Sequence, residues 1–94
     1  MANMRAMWKF PLEIGVESEI EMPPGSQVRY VGVQGETPCM WVEVNLDRTE
    51  EPAECRLFSV FGTGHEIASD SLKYHGTFML LDELFVGHLF ERVA

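Results

Sequence analysis

Apolar and polar side chains alternate along most of this chain, in runs of six to ten residues that stop at glycine, proline or acidic breaks. A period of two sends successive side chains to opposite faces of an extended strand, whereas a surface helix needs a period near 3.6. Runs this short and phased this way restrict the chain to an all-β fold, a small antiparallel sandwich or barrel of six to seven short strands. At most one short helical turn fits beside them.

The pattern can be followed in order. Met7 to Leu12 sets Trp8, Phe10 and Leu12 against Met7, Lys9 and Pro11, and a proline without an amide hydrogen suits an edge strand. Val16 to Met22 alternates Val16, Ile20 and Met22 with Glu17, Glu19 and Glu21 before Pro23-Pro24-Gly25-Ser26 ends it. Gln27 to Gln34 places Val28 and Tyr30 on one face and Arg29, Val31 and Val33 on the other. Gly32 inside that run predicts a bulge or a close backbone contact. Across Gly35-Glu36-Thr37-Pro38, Cys39 to Leu46 answers as the second arm of a hairpin, with Met40, Val42, Val44 and Leu46 on one face. Asp47 to Ala53 reads as an exposed loop.

Glu54 to Phe61 sets Leu57, Ser59 and Phe61 opposite Arg56, Phe58 and Val60, and Gly62-Thr63-Gly64-His65 turns the chain out of it. His65 to Lys73 reads as a loop or a single helical turn. Tyr74 to Leu81 and Leu84 to Val93 form a last hairpin around Asp82-Glu83, with Tyr74, Gly76, Phe78 and Leu80 sharing one side of its first arm. The apolar run from Leu80 to Phe90 also fits a helix, and its aromatics, Val86 and Gly87 favour strand.

Ninety-four residues make one domain, 1–94, in which roughly 60–65% of the unfolded chain's surface is buried on folding. Several strands carry large apolar residues on both faces, more than one layer can hide, so a homo-oligomer or a lined pocket is expected. The net charge is −8, with the seven basic residues scattered, which excludes a phosphate-tracking nucleic-acid binder. No apolar run reaches the length of a membrane span, and the start, Met1 to Phe10, lacks a signal-peptide core. Cys39 and Cys55 give no disulfide framework and read as reduced, buried thiols.

Chemistry is sparse. His65, His75 and His88 form no metal-ligand spacing with one another or with the cysteines, and no serine sits in a nucleophile elbow. The expectation is a non-enzymatic protein with neither metal nor cofactor. Gly62-Thr63-Gly64-His65 resembles a phosphate cradle to the extent that glycines let amides converge on an anion. The same residues also serve as a plain strand exit. His88, in an apolar run, reads as a hydrogen-bonded core histidine. Trp8, Trp41 and Tyr74 suit either core packing or a stacking wall. Arg29 and Arg56, on otherwise apolar strands, require an anion, a protein carboxylate before a ligand phosphate.

WKFPL at 8–12, P-x-G at 23–25, VQGETPCMWVEV at 33–44, FGTGHEI at 61–67, YHGTF at 74–78 and LFVGHLFE at 84–91 resemble a family of small uncharacterised proteins carried by tailed bacteriophages and prophages. The chain departs from that pattern in its Met1–Ala6 leader and at Glu43-Val44-Asn45. The resemblance implies a phage protein acting in the host bacterial cytoplasm and brings no catalytic residues. Phage proteins of this kind often neutralise a host component. The leading expectation is therefore a counter-defence protein that sequesters a nucleotide-derived immune signal. Its ligand-binding set is Gly62, Thr63, Gly64, His65, Arg29, Arg56 and Trp41. The alternatives are an acidic inhibitor or adaptor that binds a host protein through Glu17, Glu19 and Glu21, and an accessory of the virion or of replication.

Overall fold

A computed structural model describes residues 4–93; the first half of the Met1–Ala6 leader lies outside them. Seven strands form two antiparallel sheets: β1 (Arg5–Pro11), β2 (Ser18–Met22), β3 (Gln27–Gln34), β4 (Thr37–Asn45), β5 (Glu54–Gly62), β6 (Leu72–Leu80) and β7 (Phe85–Arg92). Sheet A has the order β1-β4-β3 and sheet B the order β2-β5-β7-β6. The result is a flat slab of 46 × 31 × 17 Å. Of the loop or single helical turn expected over His65 to Lys73, the loop is what forms up to the start of β6. Leu46–Arg48 forms a single 3-10 turn whose N-cap Asn45 side chain accepts from the Asp47 amide. The segment from 63 to 71 carries no helix.

The inner faces follow the alternation. Met40, Val42 and Val44 of β4 meet Phe58 and Val60 of β5, Phe78 of β6 and Leu89 of β7 in one core, closed at its ends by Leu12 and Met22. Burial of such side chains stabilises the fold by roughly 1.5–3 kcal/mol each. The sheets approach most closely where β3 runs beside β6. There Gly76 has no Cβ, and one placed on it would stand 2.8 Å from the Val31 Cβ. Leu80 to Phe90 is hairpin rather than helix, with Thr77 opposite His88 and Phe78 opposite Gly87.

Two faces differ from the expectation, each for the same reason. The β3–β4 register shifts between Val28 and Tyr30, so Arg29 is an extra residue and the alternation reverses across it. Val28 packs on the core with Val31 and Val33, while Tyr30 turns outward and is 63% exposed. Its ring lies over Gly32, where a Cβ would come within 2.6 Å. In β6 the register shifts between Tyr74 and Gly76. His75 is the extra residue and points inward, and Tyr74 stands on the outer face instead of beside Phe78. The β6–β7 connection also holds more backbone strain than a plain Asp-Glu turn: Leu81, Asp82 and Glu83 all have positive φ (54°, 53° and 71°).

Candidate functional site

The expected ligand-binding residues occupy three separate places. Trp41 lies on the outer face of sheet A, its ring centroid 5.6 Å from that of Tyr30. Arg29 lies on the same face and bonds Glu43, which Arg5 also holds. The hydrogen bond from Arg29, followed by that from Arg5, keeps the Glu43 carboxyl below the usual carboxylate range against the opposing effect of burial.

Arg56 is inside the sandwich. Its Nη2 donates to Glu91 Oε1 at 2.8 Å, its Nε bonds Oε2, and its Nη1 donates to the Ser26 carbonyl at 2.6 Å. His75, brought inward by its bulge, places Nε2 2.8 Å from Glu91 Oε1. The His75 ring lies 6.0 Å from that of Phe58, and the Arg56 guanidinium 5.8 Å from the same ring. Burial drives the Glu91 carboxyl up, and the hydrogen bonds from Arg56 and His75 together outweigh it, leaving a carboxylate held below its ordinary range. The Arg56–Glu91–His75 group is a structural triad in which both Glu91 oxygens are bonded. Residue order alone left Arg56 open to a phosphate; the structure gives it a carboxylate of its own chain.

The Gly62–His65 turn sits at the far end of β5 from Arg56. Its amides are largely committed within the fold. Gly62 N donates to His65 Nδ1 (3.3 Å), Thr63 N to the Val86 carbonyl (3.2 Å) and His65 N to the Gly62 carbonyl (3.0 Å). The His65 ring covers Gly62 so closely that a Cβ there would meet it at 2.8 Å, and Gly64 has φ +88°. The glycines thus serve a turn capped by its own histidine. The Thr63 hydroxyl bonds His88 Nε2 (2.8 Å), His88 Nδ1 bonds the Thr77 hydroxyl (2.9 Å), and that hydroxyl bonds Tyr74 OH. His88 is therefore half-exposed on the outer face rather than a core residue, although it is hydrogen-bonded as expected.

This chain of polar contacts crosses β5, β7 and β6 on the outer face of sheet B. Beside it Phe90 packs edge-on against Phe61 (5.6 Å) and Tyr74 (5.5 Å). Ser59, Phe61, Glu66, Ser69, Ser71 and Arg92 line a groove of 580 Å³ between that face and the loop from 63 to 71, and a smaller hollow of 310 Å³ opens beside His65. Glu17 bridges the groove's rim to Arg92 with both oxygens (2.7–3.1 Å).

The edge strand β2 completes the face. Its Glu19 and Glu21 stand opposite Leu57 and Cys55, and neither carboxylate has a cationic partner among the described residues. Cys55 is exposed rather than buried, and Cys39 is buried; both are free thiols. The hydrogen bond to Glu19, then burial and the charges of Glu19 and Glu21, push the Cys55 thiol up, which makes it a poor nucleophile. Trp8, on the inner side of edge strand β1, stays 37% exposed, so Trp8, Trp41 and Tyr74 belong to three different surfaces and build no common wall. Among the described residues no group of three or more histidine, cysteine or acidic side chains is placed to hold a metal.

Fold and face together define a small antiparallel β-sandwich with an aromatic, acid-rimmed sheet surface. The chain belongs to the family described as Domain of unknown function (DUF7352), which matches residues 4–94. No curated protein and no solved structure matches it.

Proposed function

We propose that this protein is a non-enzymatic binding protein that docks a basic surface of another protein onto the outer face of sheet B. The observation that carries this reading is that the Phe61–Phe90–Tyr74 strip shares one outer sheet face with Glu19 and Glu21, two carboxylates without a cationic partner among the described residues. An apolar centre with a charged rim is the anatomy of a protein interface, and the rim's sign selects a cationic partner. The resemblance to phage-borne proteins supports a partner in the host bacterial cytoplasm, which makes the chain an inhibitor or adaptor.

A second reading, the sequestered nucleotide-derived signal, is favoured by the 310 Å³ hollow beside His65. Against it, Arg5, Arg29, Arg48, Arg56 and Arg92 each face a carboxylate of this chain, which leaves no guanidinium free for a phosphate.

Affinity capture separates the two readings. Under the first, tagged wild-type protein retains a basic host protein at physiological salt, and Tyr74→Ala and the pair Glu19→Lys/Glu21→Lys both release it. Retention unchanged by either variant, or no retained protein at all, defeats that reading. A thermal shift with a panel of cyclic nucleotides and ADP-ribose derivatives supports the second.

A further inference from the structure

The two broad faces of the slab differ in charge. In register on the outer face of sheet A are Met7, Lys9 and Arg5 of β1, with Trp41 and Glu43 of β4 beside them. Arg29 and Tyr30 of β3 complete that face. It carries three cations against the single carboxylate of Glu43, which Arg5 and Arg29 share. Lys9 bonds only the neutral Gln34. Met7 and Tyr30, on the two edge strands that flank β4, are 51% and 63% exposed. The opposite face, on sheet B, has the aromatic strip and the unpaired carboxylates of Glu19 and Glu21. One chain therefore presents a cationic apolar face and an anionic apolar face on opposite sides of a sandwich 17 Å thick.

We infer that a second copy of this chain occupies the outer face of sheet B, seating its own sheet A face there, so that copies stack head to tail. This rests on the reading of sheet B as a docking surface and names one occupant for it. Opposite charge steers the two faces together and penalises the two like-faced pairings. A stable association needs about 800 Å² per partner, and the slab's 46 × 31 Å aspect has room for it. Because the two faces point in opposite directions, the contact is heterologous and leaves a free face at each end of the stack. Any basic protein that binds sheet B competes with stacking.

Sedimentation velocity on the full chain tests the inference without any other partner. Wild-type protein at low salt shows an average mass rising with concentration above the 10.7 kDa monomer, falling back towards it in high salt. Met7→Glu/Lys9→Glu disables one face and Glu19→Lys/Glu21→Lys the other; all four side chains are exposed, and circular dichroism checks that each variant is folded. Each variant alone is a monomer, because its two faces then repel, and an equimolar mixture associates again. A wild type that stays monomeric at hundreds of micromolar overturns the inference. So does a variant that self-associates like wild type, or a mixture that fails to pair. A monomeric wild type that still retains a basic host protein defeats the stacking alone. A stacking wild type that retains none defeats the host-docking reading alone.

Discussion

Glu91→Ala removes the carboxylate that holds both Arg56 and His75, and its cost follows from what it leaves behind. The guanidinium keeps the Ser26 carbonyl as its remaining acceptor, and His75, whose side chain is 7% exposed, loses the contact at Nε2. Removing one member of a buried ion pair costs about 3–5 kcal/mol, because the remaining charge is desolvated without compensation. Arg56 retains 17% side-chain exposure, so the low end, about 3 kcal/mol, applies. For a domain of this size each kcal/mol lowers Tm by about 4–8 °C, so the variant melts at least about 12 °C below wild type. Urea unfolding followed by the fluorescence of Trp8 and Trp41 reads the same loss as a lower midpoint. Replacing the whole triad by Arg56→Met, Glu91→Leu and His75→Phe recovers most of the stability, since no buried charge is then orphaned. The acid limb provides a second check. Glu91 titrates lower in the folded chain than unfolded, so its contribution is fully present above the ordinary carboxylate value and disappears as pH falls through the folded one. The gap between wild type and Glu91→Gln therefore closes in acid. A Glu91→Ala cost below about 1 kcal/mol, or a gap that widens as pH falls, refutes the reasoning.

Gly76→Ala drives a Cβ into Val31 at the closest approach of the two sheets and lowers stability by about 1–3 kcal/mol, read as a shift in urea midpoint at unchanged m-value. Asp82→Gly relieves one of three consecutive left-handed residues in the β6–β7 turn and raises Tm by a few degrees, for a gain on the order of 1 kcal/mol. Glu19→Gln removes the hydrogen bond and one of the charges that hold the Cys55 thiol up, so the thiolate fraction at pH 8 rises. Iodoacetamide then labels Cys55 faster than in wild type, scored by peptide mass against the buried Cys39.

The strands' places along the chain were legible because burial on one face enforces a period of two, whereas their order within the two sheets was not. Met40, Val42 and Val44 read inward from spacing alone, as did Phe58 and Val60. The alternation fails where one residue is inserted without a break in composition. Arg29 and His75 are such residues, and each reverses the faces on one side of itself, so Val28 and Tyr30 part company, as do Tyr74 and Phe78. Glycine follows each insertion, at Gly32 and Gly76, and only for Gly32 does the run itself suggest an irregularity. Glycine marks a close approach but not the residue that bulges, because the bulge is fixed by the partner strand's register.

The candidate surface was less legible for a different reason. Arg56 and Glu91 both occupy inward positions in otherwise apolar alternations, and two opposite charges on facing strands of one core must find each other or unfold it. That pairing was available from parity alone, once β5 and β7 are known to be neighbours, which requires topology. With Arg56 assigned inward, the remaining arginines fall to carboxylates beside them, and a phosphate ligand has no guanidinium left to claim. Among the carboxylates left without a cation are Glu19 and Glu21 on the outer edge of sheet B. Glu19 and Glu21 alternate with Ile20, so the same period that buries one side of β2 sets its charges in a row on the other. An edge strand with charged outward residues resists uncontrolled pairing, but Tyr74, Phe61 and Phe90 cross the other three strands of the same face. Protection against aggregation would call for charges there as well. An exposed Tyr74 backed by half-buried Phe61 and Phe90, on the same face as two carboxylates without a cation, fits the proposed docking of a surface of opposite charge.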